Sequence, residues 1–197
     1  VIWRYDPILF SQSMDVRYHL HGFEAIAKRL ASHTQTCVIS FVDLYQKTRR
    51  NLRATTVREP SADEITRLAA GLASIASSYG IRIQSCAERI DLEPMGIRHG
   101  RCIDRMLIEE LQGARLNVAR DRNQRPECGC VQSVDIGVYD TCSHGCLYCY
   151  ANTDTKTVCR NRGLHDLSSP LLIGRMEEGD VVKERAIRSF KGNDALF

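Results

Sequence analysis

Short β-branched runs and longer segments with helical spacing alternate along the first half of the chain. Residues 36–42 are a β-branched run, which is typical of a buried strand, and residues 1–5 and 81–85 are also predicted to be strands. Residues 15–30 instead repeat apolar side chains every three or four positions, as in Val16, Leu20 and Phe23. Residues 104–111 show a similar period and are followed by Gly113. The pattern therefore predicts strands and helices in alternation.

The clearest helix signal begins at Ser61. Glu64 follows three residues later, so that the two side chains can cap the helix reciprocally. Ile65, Leu68 and Leu72 then recur on one face, and a glycine at position 80 ends the pattern. The sequence predicts a helix from Ser61 to just before that glycine.

Strands separated by single helices indicate parallel pairing through right-handed crossovers. A doubly wound sheet and part of a barrel both fit this α/β pattern. We favour parallel βαβ units forming the C-terminal part of a TIM-like (β/α) barrel over residues 1–113. Residues 114–197 are predicted to form a Cys-rich, irregular, metal-binding region packed on it, where periodicity stays weak until residues 177–188. The chain begins in a strand-like run without methionine, so we expect it to be the later part of a longer protein.

Ligands of parallel α/β folds bind at the carboxyl ends of the strands. The polar side chains that the sequence places there are Arg4, Asp6, Ser40, Asp43, Cys86 and Glu88. These side chains are candidates for substrate or cofactor binding. The alternative is that they only stabilise turns, because polar residues are also common where strands end.

Composition excludes several classes of protein. The chain has 197 residues, of which 43% are apolar and 26% charged, as in a soluble globular protein. No apolar run approaches the roughly 18 residues of a membrane helix. The net charge of +3 is too small to indicate a polyanionic partner. Nine cysteines, five of them between residues 128 and 149, favour reduced, metal-binding cysteine in a cytoplasmic protein over a disulfide framework.

Cys142, Cys146 and Cys149 have the spacing C-x-x-x-C-x-x-C, with Tyr148 directly before the third cysteine. A loop with these gaps can turn three thiolates onto one [4Fe–4S] cluster and leave one iron without a protein ligand. That arrangement is used to bind and cleave S-adenosylmethionine. The alternative is zinc, with four ligands from Cys146, Cys149 and a second cysteine pair nearby.

The second pair is Cys128 and Cys130. Together with Cys86 and Cys102 they total four, the number that a second, closed metal site needs. If Cys128 or Cys130 instead reached the fourth iron, the cluster would be closed and could not bind S-adenosylmethionine. The number of cysteine ligands therefore separates a catalytic cluster from a structural one.

The cysteine loop resembles the motif of the radical S-adenosylmethionine superfamily, and Tyr148 fits that motif as a cofactor-binding position. Nearly the whole chain is similar to the domain of unknown function 1848 family, which is bacterial and archaeal and has no assigned reaction. The matching stretches are residues 3–8 (WRYDPI), 40–43 (SFVD), 86–88 (CAE), 100–104 (GRCID), 122–125 (RNQR), 128–130 (CGC), 135–137 (DIG), 142–152 (CSHGCLYCYAN) and 169–174 (SPLLIG). The resemblance implies a radical-enzyme type of cluster on the C-terminal cysteines and earlier strands ahead of residue 1.

Three functions follow as hypotheses. The first is a radical enzyme that receives an electron from a donor and acts on an unknown small or macromolecular substrate, with Arg4, Asp6, Asp43 or Glu88 positioning substrate or cofactor. The second is a non-catalytic metalloprotein with zinc or a closed iron–sulfur site. The third is nucleic-acid binding, which would need phosphate contacts from basic residues. The candidates for those contacts are Lys47, Arg49, Arg50, Arg53, Arg58, Arg115, Arg120, Arg122 and Arg125.

Overall fold

Four parallel strands in sequence order form the main sheet of the computed structural model, which describes residues 1–195. This confirms the α/β class with parallel βαβ units; over the described residues the sheet is open rather than closed into a barrel. A short antiparallel pair, β5 with β6, is separate from it. In chain order the elements are β1 (Trp3–Ile8), α1 (Val16–Leu30), β2 (Thr36–Phe41), α2 (Gln46–Leu52), α3 (Ala62–Ser78), β3 (Arg82–Ser85), a 3-10 turn (Glu93–Met95), β4 (Arg98–His99), α4 (Arg105–Gln112), β5 (Ala114–Leu116), α5 (Thr155–Gly163) and β6 (Lys191–Ala195).

The chain divides into two compact units. The sheet unit consists of Val1–Asp43, Ala54–Ser133 and the segment from Phe190 onward, and it contains the main sheet. The cysteine-loop unit consists of Leu44–Arg53 and Val134–Ser189, and it contains α2, α5 and the three clustered cysteines. None of the helices within residues 1–195 combines the length and the apolar character needed to cross a bilayer.

Helices α1 and α3 connect successive strands, pack against each other and cover one face of the sheet. The helical period of α1 is confirmed at Phe23 and Ala27 but is wrong at Ile26, which is exposed, whereas the polar His19 is buried. Phe23 of α1 is fully buried and stacks on Trp3 of β1, with ring centroids 4.5 Å apart. Leu68 and Leu72 of α3 are also fully buried. The capping box of Ser61 and Glu64 is present, so the predicted start of α3 is confirmed.

Three features differ from the sequence-based expectation. Strand β1 does not end at Asp6-Pro7 but continues to Ile8 with a shifted register. Proline has no backbone N–H, and an edge strand tolerates this because its open side has no neighbouring strand to receive a hydrogen bond. Helices α2 and α5 are short and mostly polar, so their apolar periods are too weak to detect. Residues 177–188, where periodicity seemed to return, form no helix.

A buried histidine links α1 to the loop after β1. His19 is 5% exposed; its Nε2 donates to the Leu9 carbonyl at 2.9 Å. This leaves Nδ1 as the acceptor for the Tyr5 hydroxyl at 3.0 Å. The neutral ring therefore satisfies both partners, and burial lowers the pKa of His19 below its ordinary value.

We expect the free energy of unfolding to fall as the pH drops below about 6.5, the ordinary pKa of histidine. In that range His19 is protonated in the unfolded chain but stays neutral in the folded protein, because its pKa there is lower. The free energy of unfolding therefore falls by at most about 1.4 kcal/mol per pH unit. Urea unfolding at several pH values measures the slope. His19→Gln should flatten it, whereas His33→Gln, at an exposed histidine, should leave it unchanged. Equal slopes in all three proteins would contradict the assignment.

Candidate functional site

Polar side chains from two strands meet near the carboxyl edge of the main sheet, although Arg4 and Asp6 lie within β1 and not at its end as the sequence predicts. Arg4 Nη2 lies 2.5 Å from Asp6 Oδ2, and the Ser40 hydroxyl lies 3.5 Å from the same oxygen. Burial lowers the pKa of Arg4, but hydrogen bonds to Asp6 and Cys102 outweigh that effect and raise the pKa above its ordinary value. The guanidinium therefore remains a cation. Three of the side chains predicted at strand ends are thus neighbours.

Glu88 and Asp43, the other predicted carboxylates, have separate partners at this edge. Glu88 Oε1 accepts a hydrogen bond from the Phe41 N–H at 2.8 Å, and burial raises the pKa of Glu88. Asp43 forms an ion pair with Arg125. Between Cys86 and Glu88, Ala87 adopts a left-handed backbone with φ +51°. This backbone conformation costs a residue with a Cβ about 1–2 kcal/mol. The turn after β3 is therefore strained between the two candidate residues Cys86 and Glu88.

Cys86 and Cys102 lie side by side in the sheet unit. Their sulfurs are 3.2 Å apart, and Arg4 Nη1 donates to Cys102 Sγ at 3.1 Å. The contact with Cys86, aided by Arg4, lowers the pKa of Cys102 to about 5. The same thiol contact and burial raise the pKa of Cys86. One of the two sulfurs therefore has thiolate character at neutral pH.

The remaining two cysteines of this group are buried. Cys128 and Cys130 are 8% and 6% exposed and pack with Cys86 and Ile103. Cys130 Sγ accepts hydrogen bonds from the backbone N–H groups of Cys102 at 3.2 Å and Ile103 at 3.3 Å. Burial and the neighbouring Cys128 raise the pKa of Cys130. The structure thus brings together all four cysteines outside the C-x-x-x-C-x-x-C loop that the sequence singles out.

The C-x-x-x-C-x-x-C loop lies in the cysteine-loop unit. Cys142 and Cys146 are exposed and Cys149 is half-buried; all three are free thiols. Gly145 adopts φ +67°, and the Cys149 N–H donates to the Cys146 carbonyl at 3.0 Å, which closes a turn between the last two cysteines. Tyr148 is half-buried within this turn, and His144 is exposed.

Asp140 fixes the start of the loop to the segment that follows it. Its backbone N–H donates to the Ala151 carbonyl at 3.0 Å, and its carboxylate accepts from the Thr153 hydroxyl at 3.0 Å. Its own carbonyl accepts from Asn161 Nδ2 at 3.1 Å. Asp140 has φ +59°, which Asp tolerates better than most residues. The two ends of the loop are therefore held together without help from a cysteine.

Asn152 is the second anchor of the loop. Its Nδ2 donates to the Cys142 carbonyl at 2.6 Å, and its own carbonyl accepts from Lys47 Nζ on α2. Asn51 of α2 also donates to the Leu147 carbonyl at 3.2 Å. Within the described part of the chain, the buried Asn152 Oδ1 and Thr48 Oγ1 have no hydrogen-bond partner. Buried polar oxygens of this kind normally have one.

A cavity of about 410 Å³ in the cysteine-loop unit is lined by cations of α2. Its lining includes Lys47, Arg50 and Arg53 together with Thr153. Sequence reasoning named these cations as nucleic-acid contacts and missed Asp140, Asn152 and Thr153 as loop anchors. The signal for Asn152 and Thr153 was the dense polar stretch that follows Cys149, and Asp140, ahead of the loop, had none.

Several other predicted residues have structural partners. Arg58 forms an ion pair with Glu64, Arg125 pairs with Asp43, and Arg120 Nε donates to the Cys128 carbonyl at 2.7 Å.

The last two cysteines differ in their surroundings. Cys37 is fully buried in the core, where burial raises its pKa to about 12. Cys159 is exposed on α5.

As they stand, the histidine, cysteine and carboxylate side chains that the structure describes, those of residues 1–192, form no group of three or more that could hold a metal ion. A family model described as Domain of unknown function (DUF1848) matches residues 1–151. No curated protein and no solved structure matches the chain.

Proposed function

The chain belongs to the Domain of unknown function (DUF1848) family, and we propose that it is an iron–sulfur enzyme of the radical S-adenosylmethionine type. Cys142, Cys146 and Cys149 would hold a [4Fe–4S] cluster. Such a cluster, when bound, supplies the electron for reductive cleavage of S-adenosylmethionine. The substrate is unknown, and the electron comes from a donor protein.

One observation carries this proposal: three free, solvent-accessible thiols on one short loop whose backbone is anchored at both ends. Thiolate sulfur is the donor that iron–sulfur clusters require, and three cysteines leave one iron open. Asp140 and Asn152 hold the loop ends through hydrogen bonds to Thr153 and to the Cys142 carbonyl. The cysteines themselves therefore remain available as ligands.

The cavity of this unit suits a carboxylate such as that of the methionine part of the cofactor. Lys47, Arg50 and Arg53 around its 410 Å³ can bind such a group. Tyr148 would lie against the cofactor from within the loop.

The sheet unit offers a separate cavity of about 930 Å³ for substrate. Strand side chains alternate between faces, so Arg4, Val38 and Gln84 line this cavity on the face opposite the α1 and α3 core. Arg82 and Arg98 also line it, which favours a substrate with a carboxylate or phosphate group. Asp6, which pairs with the lining residue Arg4, would help to position the substrate, and Asp43 and Glu88 remain candidates at the strand ends. In this proposal the open sheet is part of a TIM-like barrel.

The cytoplasm is the location that fits this chemistry, because all nine cysteines are free and iron–sulfur sites need reduced thiols.

Anaerobic reconstitution tests the proposal. The chain is loaded with iron and sulfide, mixed with S-adenosylmethionine and dithionite, and analysed for 5′-deoxyadenosine by chromatography. We expect 5′-deoxyadenosine only when dithionite is present. A loaded protein that forms none, beside a control radical enzyme that does, would contradict the catalytic reading and leave a structural cluster.

A further inference from the structure

We propose that Cys86, Cys102, Cys128 and Cys130 form a second metal site, a closed four-thiolate centre for a single zinc ion. It lies within the sheet unit and is independent of the loop cysteines. Four thiolates fill the tetrahedral shell of zinc, so the site is structural rather than catalytic. It would tie residues 128–130 and 102 to the carboxyl end of β3, where Cys86 lies.

The chain brings these cysteines together from three separate segments. Gly100 is needed for the approach of the second segment, because a Cβ there would lie 2.9 Å from the Ser85 carbonyl oxygen and from Gln84 Cβ. With glycine at this position Cys102 reaches Cys86. The N–H groups of Cys102 and Ile103 then reach the sulfur of Cys130.

Hydrogen bonds to the sulfurs suit metal-bound thiolates. Cys130 Sγ accepts two backbone N–H bonds, and Cys102 Sγ accepts one from the Arg4 guanidinium. A neutral thiol is only a weak acceptor, whereas donors around the sulfurs compensate the negative charge of a four-thiolate centre. Arg4 and two backbone amides are therefore the outer partners that hold such ligands in place.

The spacing of the sulfurs favours a single ion over a cluster. Two thiolates on one tetrahedral zinc, with Zn–S bonds of about 2.3 Å, stand about 3.8 Å apart. Cys86 and Cys102 are 3.2 Å apart, close to that value, whereas cysteines on different irons of a cluster stand further apart. The thiols do not enclose an ion as they stand. Binding therefore requires the four side chains to rotate toward a common centre, and the Cys86 and Cys102 sulfurs to separate by about 0.6 Å.

Zinc content in variants of the full chain tests the site. The background is the triple variant Cys142→Ser, Cys146→Ser, Cys149→Ser, so that metal bound at the loop cannot contribute. We expect this protein to retain one zinc per chain. Adding Cys128→Ser and Cys130→Ser to it should lower the affinity for zinc at least about tenfold. Cys159→Ser, at an exposed cysteine, is the matched control and should change nothing.

Cobalt spectroscopy serves as a second measurement in case the double variant does not fold. Co²⁺ in the triple variant should show the sulfur-to-metal bands of four thiolates, and the single change Cys102→Ser should weaken them. Absence of zinc, a Cys86–Cys102 disulfide in its place, or iron with sulfide at these cysteines would overturn the proposal. Because the loop cysteines are absent from this background, the result is independent of the proposed radical chemistry.

Discussion

Replacing Cys146 by serine should abolish the iron–sulfur cluster and with it the cleavage of S-adenosylmethionine. Cys146 is the central thiol of the loop and is exposed, so the change removes a ligand without disturbing a core. Losing an outer partner of a metal site already costs about 10–100-fold in affinity or activity, and losing a ligand costs at least that. Iron per chain and 5′-deoxyadenosine formation after reconstitution measure the effect.

Cys159→Ser provides the matched control, because Cys159 is an exposed cysteine of the same unit and lies on α5. Iron content and 5′-deoxyadenosine should match those of the unaltered protein. If Cys146→Ser keeps its iron, or if both variants lose it equally, the loop does not bind the cluster.

Phe23→Ala should destabilise the sheet unit by about 3–5 kcal/mol, the usual result of truncating a buried phenylalanine. Phe23 is fully buried, stacks on Trp3 and contacts Tyr5 edge-on at 5.1 Å. Small domains are stable by only about 5–15 kcal/mol, so much of the protein would unfold on mild warming. Trp3 is the only tryptophan, and its fluorescence during urea unfolding reports on this contact directly.

Ile26→Ala on the same helix is the comparison, because Ile26 is 39% exposed. Its unfolding midpoint should shift by much less, since an exposed side chain leaves no cavity. Similar shifts for the two variants would show that Phe23 is not a central core residue.

The strongest sequence signals correspond to the best-formed elements. Ser61 and Glu64 marked the start of α3 because the capping box is a local interaction that needs no tertiary contact. Residues 36–42 marked β2 because a continuous apolar and β-branched run is typical of a buried parallel strand. Residues 81–85 marked β3 because the buried Ile81 and Ile83 alternate with polar residues. The antiparallel pair of β5 and β6 had no such signal, because it joins residues that lie 75 and 81 positions apart in the chain, through backbone hydrogen bonds that do not depend on the side chains.

The candidate sites show the same division. The spacing of Cys142, Cys146 and Cys149 is local, so the sequence alone is enough to predict a metal-binding loop there. The sequence did not predict that Asn152 donates to the Cys142 carbonyl or that Lys47 donates to the Asn152 carbonyl. Every residue has a main-chain carbonyl, so the residue types do not indicate which carbonyl accepts a hydrogen bond.

The sequence by itself determined the alternation of strands and helices, part of the core such as Phe23 and Leu68, and the spacing of the cysteine loop, because each depends on residue types at short, regular intervals. Only the tertiary structure decided that Cys86, Cys102, Cys128 and Cys130 meet at one sheet edge beside Arg4. Such a meeting depends on crossover connections and on the close packing of Gly100 against β3, which act over long sequence distances.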